Sequence, residues 1–94
     1  MTMVLDDRDR RALKARAHAL KPVVLIGQKG LHASVIDEIR AALEHHELIK
    51  IKIPGGREAM TPIIEEILAA TDAELVQRIG GVVVLYLKNR LNQT

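Results

Sequence analysis

The sequence predicts an α/β (α+β) two-layer sandwich, ordered α-β-α-β-α-β-β, with a four-stranded mixed sheet and the helices on one face. Three observations predict it. Segments with apolar residues at helical spacing alternate with short β-rich runs along the whole chain. A helix between successive strands makes those strands parallel, joined by right-handed crossovers. The Gly80-Gly81 pair then joins the last two runs as a tight hairpin, so the fourth strand returns antiparallel. The 94 residues, 48% of them hydrophobic, suffice for a single domain over 1–94 with one core, ordered from about residue 5 to 88.

The first helix is expected over Asp6–His18. Asp6 or Asp7 caps it, early acids suit its dipole, and Leu13, Ala17 and Leu20 recur at one face. Asp6 and Asp7 stand four residues before Arg10 and Arg11, so those two arginines are partly neutralised. Val23–Ile26 is a continuous apolar run that reads as a short buried strand opened by Pro22. The second helix follows from about His32 to His46, with Val35, Ile36, Ile39 and Leu43 as its apolar stripe and Asp37 and Glu38 in its first turns. Leu48–Ile53 alternates strictly, isoleucines at 49, 51 and 53 against Lys50 and Lys52, which predicts a strand with one wet face. Pro54-Gly55-Gly56 is a turn. The third helix ends near Ala70 or Thr71, and its start is open between Glu58 and Thr61-Pro62; either choice makes it irregular near Pro62. Leu75–Ile79 and Val82–Leu87 complete the sheet.

Between the first strand and the second helix lies Gly27-Gln28-Lys29-Gly30. Glycines at both ends permit positive φ and let another molecule approach the backbone, while Gln28 and Lys29 are pushed outward. The helix that follows presents unpaired N–H groups and the positive end of its dipole, which suits a phosphate. Taken alone, the pattern more often marks an ordinary strand-to-helix turn, since glycine pairs in turns are common. It is neither a Walker loop nor a dinucleotide fingerprint, because the Lys-Ser/Thr ending and the third glycine are missing.

Charge is unevenly distributed. The net charge is +2, yet residues 1–30 hold seven Lys/Arg against three Asp/Glu, and the remaining thirds are each slightly acidic. The positive field therefore belongs to the part of the chain that contains the glycine loop. Lys14, Arg16 and Lys21 have no acidic partner at helical spacing and are candidates to meet a polyanion.

Other chemistry has little support. The chain has no cysteine, so disulfide and thiolate chemistry are excluded. Ser34 near His32 has no nucleophile elbow. His45 and His46 are helix neighbours about 100° apart and read as C-terminal residues that suit the dipole rather than metal ligands. Glu65-Glu66 reads as a solvated helix face. The expectation is therefore no catalytic residues, no metal, no cofactor and no small-molecule substrate. No apolar run approaches the roughly 20 residues that span a bilayer, and the leading MTMVLDDRDRRAL is charged where a signal peptide would be apolar, so a cytoplasmic location off the membrane is expected. Tyr86 is the single aromatic residue among Phe, Trp and Tyr, which leaves no platform for stacking unpaired bases. RNA, if bound, would be held by backbone and shape.

Three segments, HALKPVVLIGQKGL, ALEHHELIKIKI and ELVQRIGGVVVLYL, together resemble the CRM domain family, in particular its small stand-alone bacterial YhbY-like members. The likeness covers roughly Leu5 to Lys88. It implies a fold similar to the C-terminal domain of bacterial translation initiation factor three. It also implies a non-enzymatic RNA-binding module whose GxxG loop, here Gly27, Gln28, Lys29 and Gly30, contacts RNA, and a link to ribosomal RNA in large-subunit precursors. Lys14, Lys21 and Arg57 would supply a flanking basic surface. The chain departs from the family where Leu87 follows the final Leu-Tyr, with the basic residue displaced to Lys88. A second reading is a protein-interaction module in which the open sheet face, bearing Lys50 and Lys52, docks a ribosomal or assembly protein.

Overall fold

Asp6 starts the first helix as expected: its carboxylate accepts a hydrogen bond from the Asp9 N–H at 2.7 Å. The computed structural model describes residues 6–27 and 30–88. Its elements are α1 (Asp7–His18), β1 (Val24–Leu25), α2 (Ala33–His46), β2 (Leu48–Lys52), α3 (Gly56–Thr71), β3 (Glu74–Ile79) and β4 (Val82–Tyr86). The four strands form one mixed sheet in the order β1-β2-β4-β3. β1 is parallel to β2, and β4 is antiparallel to both β2 and β3. The first three strands thus share one direction, and the hairpin strand β4 is inserted between β2 and β3.

Strand alternation sorts the core into two parts. Ile49, Ile51, Val83 and Leu85 face α2 and α3, where they pack with Ile39, Leu43, Met60, Ile64 and Ile67. Leu48, Val84 and Val76 point the other way and pack against Leu13 and Ala17 of α1, with Tyr86 alongside. This corrects the expectation that all helices lie on one face. Only α2 and α3 share a face, and α1 covers part of the opposite one. Leu48, Val84 and Tyr86 supply an apolar patch there that α1 can bury, so the layering is α/β/α at that end and two-layered elsewhere.

Two further expectations change. The first apolar run is not buried throughout: Val24 and Ile26 are, but Val23 and Leu25 are exposed on the opposite face of what is an edge strand. Leu20, expected on the core stripe of the first helix, lies beyond the helix end and is 38% exposed. Arg10 does not pair with Asp6. Its guanidinium donates instead to the carbonyls of Leu75 and Val76. Those carbonyls belong to a β-bulge, since Leu75 pairs with Leu85 while Gln77 pairs with Val84, leaving Val76 as the extra residue. The bulge also shifts alternation by one, so that Arg78 reaches the α3 side. There it donates to the Arg57 carbonyl and, at 3.0 Å, to the Thr61 hydroxyl. Helix α3 begins earlier than either expected start, at Gly56, and carries Pro62 in its interior. Pro62 has no N–H to offer the preceding turn. The helix nonetheless runs unbroken through Pro62, and Arg78 hydrogen-bonds the turn before it from outside. At the other end of α3, Arg40 of α2 donates to the Ala70 carbonyl at 2.9 Å and joins the two helices.

Candidate nucleic-acid interface

Because β1 and β2 are parallel and β4 opposes them, three connections meet at one end of the sheet. They are the glycine loop after β1, the Pro54-Gly55 turn after β2, and the Gly80-Gly81 turn before β4. Backbone hydrogen bonds tie them: the Ile26 N–H donates to Lys52 at 2.9 Å, and the Ile53 N–H to Gly81 at 2.8 Å. The glycine loop therefore stands on a braced sheet end.

Gly30 has φ +87°, a conformation that side chains beyond glycine rarely adopt, and its N–H closes the turn onto the Gly27 carbonyl at 3.0 Å. Gly27 is different. It does not lie in the left-handed region, and a Cβ added there would meet nothing within 4 Å. Nothing inside the described protein explains a glycine at 27, so the space above it is open to another molecule. Gln28 and Lys29, the two residues expected to point outward, lie outside the described residues.

Helix α2 starts directly behind the loop. His32 is its N-cap, with extended backbone and no capping hydrogen bond from its side chain. The Val35 and Ile36 N–H groups both turn to the His32 carbonyl at 3.0 Å. The first turn itself contains no acid. Asp37 is one turn further on, 3.8 Å from Arg40. The helix start thus presents positive dipole and backbone donors with no carboxylate of its own nearby.

Arg57, the second residue of α3, is exposed at this same sheet end. Lys52 joins it: it is exposed and pairs across the ladder with Leu25, two residues before Gly27. Sequence reasoning assigned Lys52 only to the open sheet face. Its closeness to the loop depends on the parallel β1–β2 register, which composition does not reveal. Lys21 is exposed but precedes β1, six residues before Gly27 and at the opposite end of that strand from the glycine loop. Lys14 is exposed on α1, behind the sheet from α2 and α3. The expected cations thus divide into a loop-end group and a distant pair. Tyr86 offers no stacking surface at the loop end. It sits beside α1, where burial, reinforced by the charges of Glu47 and Asp9 and opposed by Arg16, raises its phenol pKa above the usual value near 10.

Comparison with known proteins is consistent across the chain. The profile of the CRS1 / YhbY (CRM) domain matches residues 5–86. A Haemophilus influenzae protein named "RNA-binding protein" is 47% identical over 83 residues, covering 87% of this chain and 84% of its own. "Probable RNA-binding protein YqeI" of Bacillus subtilis is 32% identical over 91 residues, covering 96% and 95% respectively. The solution structure of the hypothetical protein SAV1595 from Staphylococcus aureus superposes with a TM-score of 0.81 at 32% identity, covering 96% of this chain and 95% of that one. The chain belongs to the CRS1/YhbY (CRM) domain family.

Proposed function

We propose that this protein binds RNA without catalysing a reaction, and that the end of the sheet carrying the glycine loop grips the phosphate backbone. The observation that carries the reading is Gly27. This glycine has open space where a side chain would go, and the helix that follows the loop starts with no side-chain cap and no acid in its first turn. Backbone N–H groups and the α2 dipole hold phosphate there, Lys29 adds charge, Gln28 a hydrogen bond, and Lys52 and Arg57 flank the loop. Lys21 and Lys14 reach a more distant part of a large RNA. The family and the names of the relatives support RNA as the ligand.

Within RNA, the reading is ribosomal RNA in precursors of the large subunit, with the protein acting as an assembly factor in the cytoplasm. This rests on what resemblance to the family implies. Crosslinking in cells followed by sequencing of the attached RNA tests it: enrichment of large-subunit ribosomal RNA is expected, and enrichment of unrelated RNAs overturns it. In vitro, acidic residues in place of both Gln28 and Lys29 should abolish binding to structured RNA while the fold stays intact. Unchanged affinity in that variant overturns the loop's role.

A further inference from the structure

The face of the sheet that α1 only partly covers has a composition that phosphate binding leaves unexplained. Ladder pairs place Leu25, Lys52, Val82 and Ile79 in one row across all four strands, because Leu25 pairs with Lys52, Lys52 with Val82, and Val82 with Ile79. Val23 and Lys50 lie on the same face one row back. Leu25 is 67% exposed, Ile79 61% and Val23 50%. These are three of the four large apolar side chains exposed among the described residues. The fourth, Leu20, lies at the margin of the same face. Among the described strand residues, this uncovered half carries two lysines and no carboxylate.

Beside it, between the end of α1 and the start of β1, opens a cleft of about 320 Å³. Leu20, Val23 and Leu48 form apolar walls, and Arg16, Lys21 and His46 line it as well. The patch and the cleft are continuous through Val23, which belongs to both. An aliphatic row interrupted by lysines, with a cation-lined apolar cleft at one side, is complementary to a chain in which aliphatic and carboxylate side chains are interleaved.

We propose that this face docks a partner protein through an acidic segment rich in aliphatic residues, one of whose apolar side chains enters the cleft while its carboxylates meet Lys50, Lys52, Lys21 and Arg16. RNA suits the face less well. Exposed Leu, Ile and Val give a phosphate nothing, and the uncovered rows carry no aromatic ring for a base to stack on, since Tyr86 of this face is packed beside α1. A protein segment uses both halves of the surface: apolar area for affinity, lysines for orientation. This surface is separate in residues from the glycine loop itself and shares only Lys52 and Lys21 with the proposed RNA contacts, so either proposal can fail without the other.

The test is an amide NMR titration of the full chain with a synthetic peptide of alternating leucine and glutamate. A leucine–lysine peptide and polyuridylate serve as comparison probes. The leucine–glutamate peptide is expected to shift the amides of Val23, Leu25, Lys50, Lys52 and Ile79, and the leucine–lysine peptide to leave them unmoved. Lys50→Glu with Lys52→Glu should weaken the peptide on the order of tenfold through lost and reversed charge pairs. Leu25→Asn, at a position too exposed to unfold the domain, should weaken it as well and leave RNA affinity intact. Absence of shifts at millimolar peptide overturns the proposal. So does polyuridylate shifting these amides in place of the peptide, which would assign the face to RNA.

Discussion

Alanine at Gly27 and alanine at Gly30 should have opposite consequences, and the contrast isolates what the loop is for. Gly30 sits at φ +87°. An alanine there is strained by about 1–2 kcal/mol, the cost of a Cβ in the left-handed region. For a domain of this size that lowers Tm by roughly 5–15 °C. Gly27 has neither a positive φ nor any atom within 4 Å of an added Cβ. Alanine there should leave stability unchanged or raise it by about 0.4–1 kcal/mol, through the reduced freedom of the unfolded chain. Binding should behave in the reverse sense. A methyl group at 27 intrudes where the phosphate approaches, and loss of a charge-assisted backbone hydrogen bond, about 1.5 kcal/mol, weakens RNA by about tenfold. The assays are thermal melting and fluorescence anisotropy with a structured ribosomal RNA fragment, titrated at several salt concentrations. A Gly27→Ala protein that melts at or above the wild-type temperature and binds RNA with unchanged affinity would refute close approach at this loop.

Arg57→Ala and Lys52→Ala should each reduce the slope of log affinity against log salt by about 0.7–0.9, the value for one phosphate contact, and a slope unchanged in both would remove the loop-end cation group. Arg10→Met should destabilise the fold by about 2 kcal/mol, because it leaves the Leu75 and Val76 carbonyls of the bulge without a charged donor; urea unfolding measures it, and no change would mean that the bulge needs no support from α1. Tyr86 ionises less readily folded than unfolded, since burial raises its pKa. The stability it contributes is therefore fully present below pH 10 and is lost as pH rises through the folded value, and Tyr86→Phe should flatten the alkaline limb of a stability–pH curve measured from about pH 9 to 11.5.

Much of the fold could be read from local pattern. The strict alternation of Leu48–Ile53, the stripe of α2 and the Gly80-Gly81 hairpin each depend on neighbours in sequence, and each lies where it was expected. Features set by distant contacts were not legible. Leu13 and Ala17 announce a helix with one apolar side, but nothing local says which face of the sheet receives it. Val23–Ile26 reads as buried because all four residues are apolar, and only its position as an edge strand exposes two of them. The bulge at Val76 hides between two neighbours that give no local sign of it, and with it the route by which Arg78 reaches α3. In the candidate interface, the glycine pair was legible as a turn between β1 and α2, while its assignment to RNA came from the resemblance and not from its spacing. The position of Lys52 beside it, and of Lys14 and Lys21 away from it, needed the strand order.

The position of β4 bears on how the domain is made. The strand encoded after all the others lies second from one edge, bonded on both sides. A growing chain that has emerged only as far as Ile79 has three strands, of which β2 and β3 lack the neighbour that belongs in the slot between them. Folding must therefore wait for residues 82–86 to leave the ribosome, and a nascent chain halted before them should remain open to proteases.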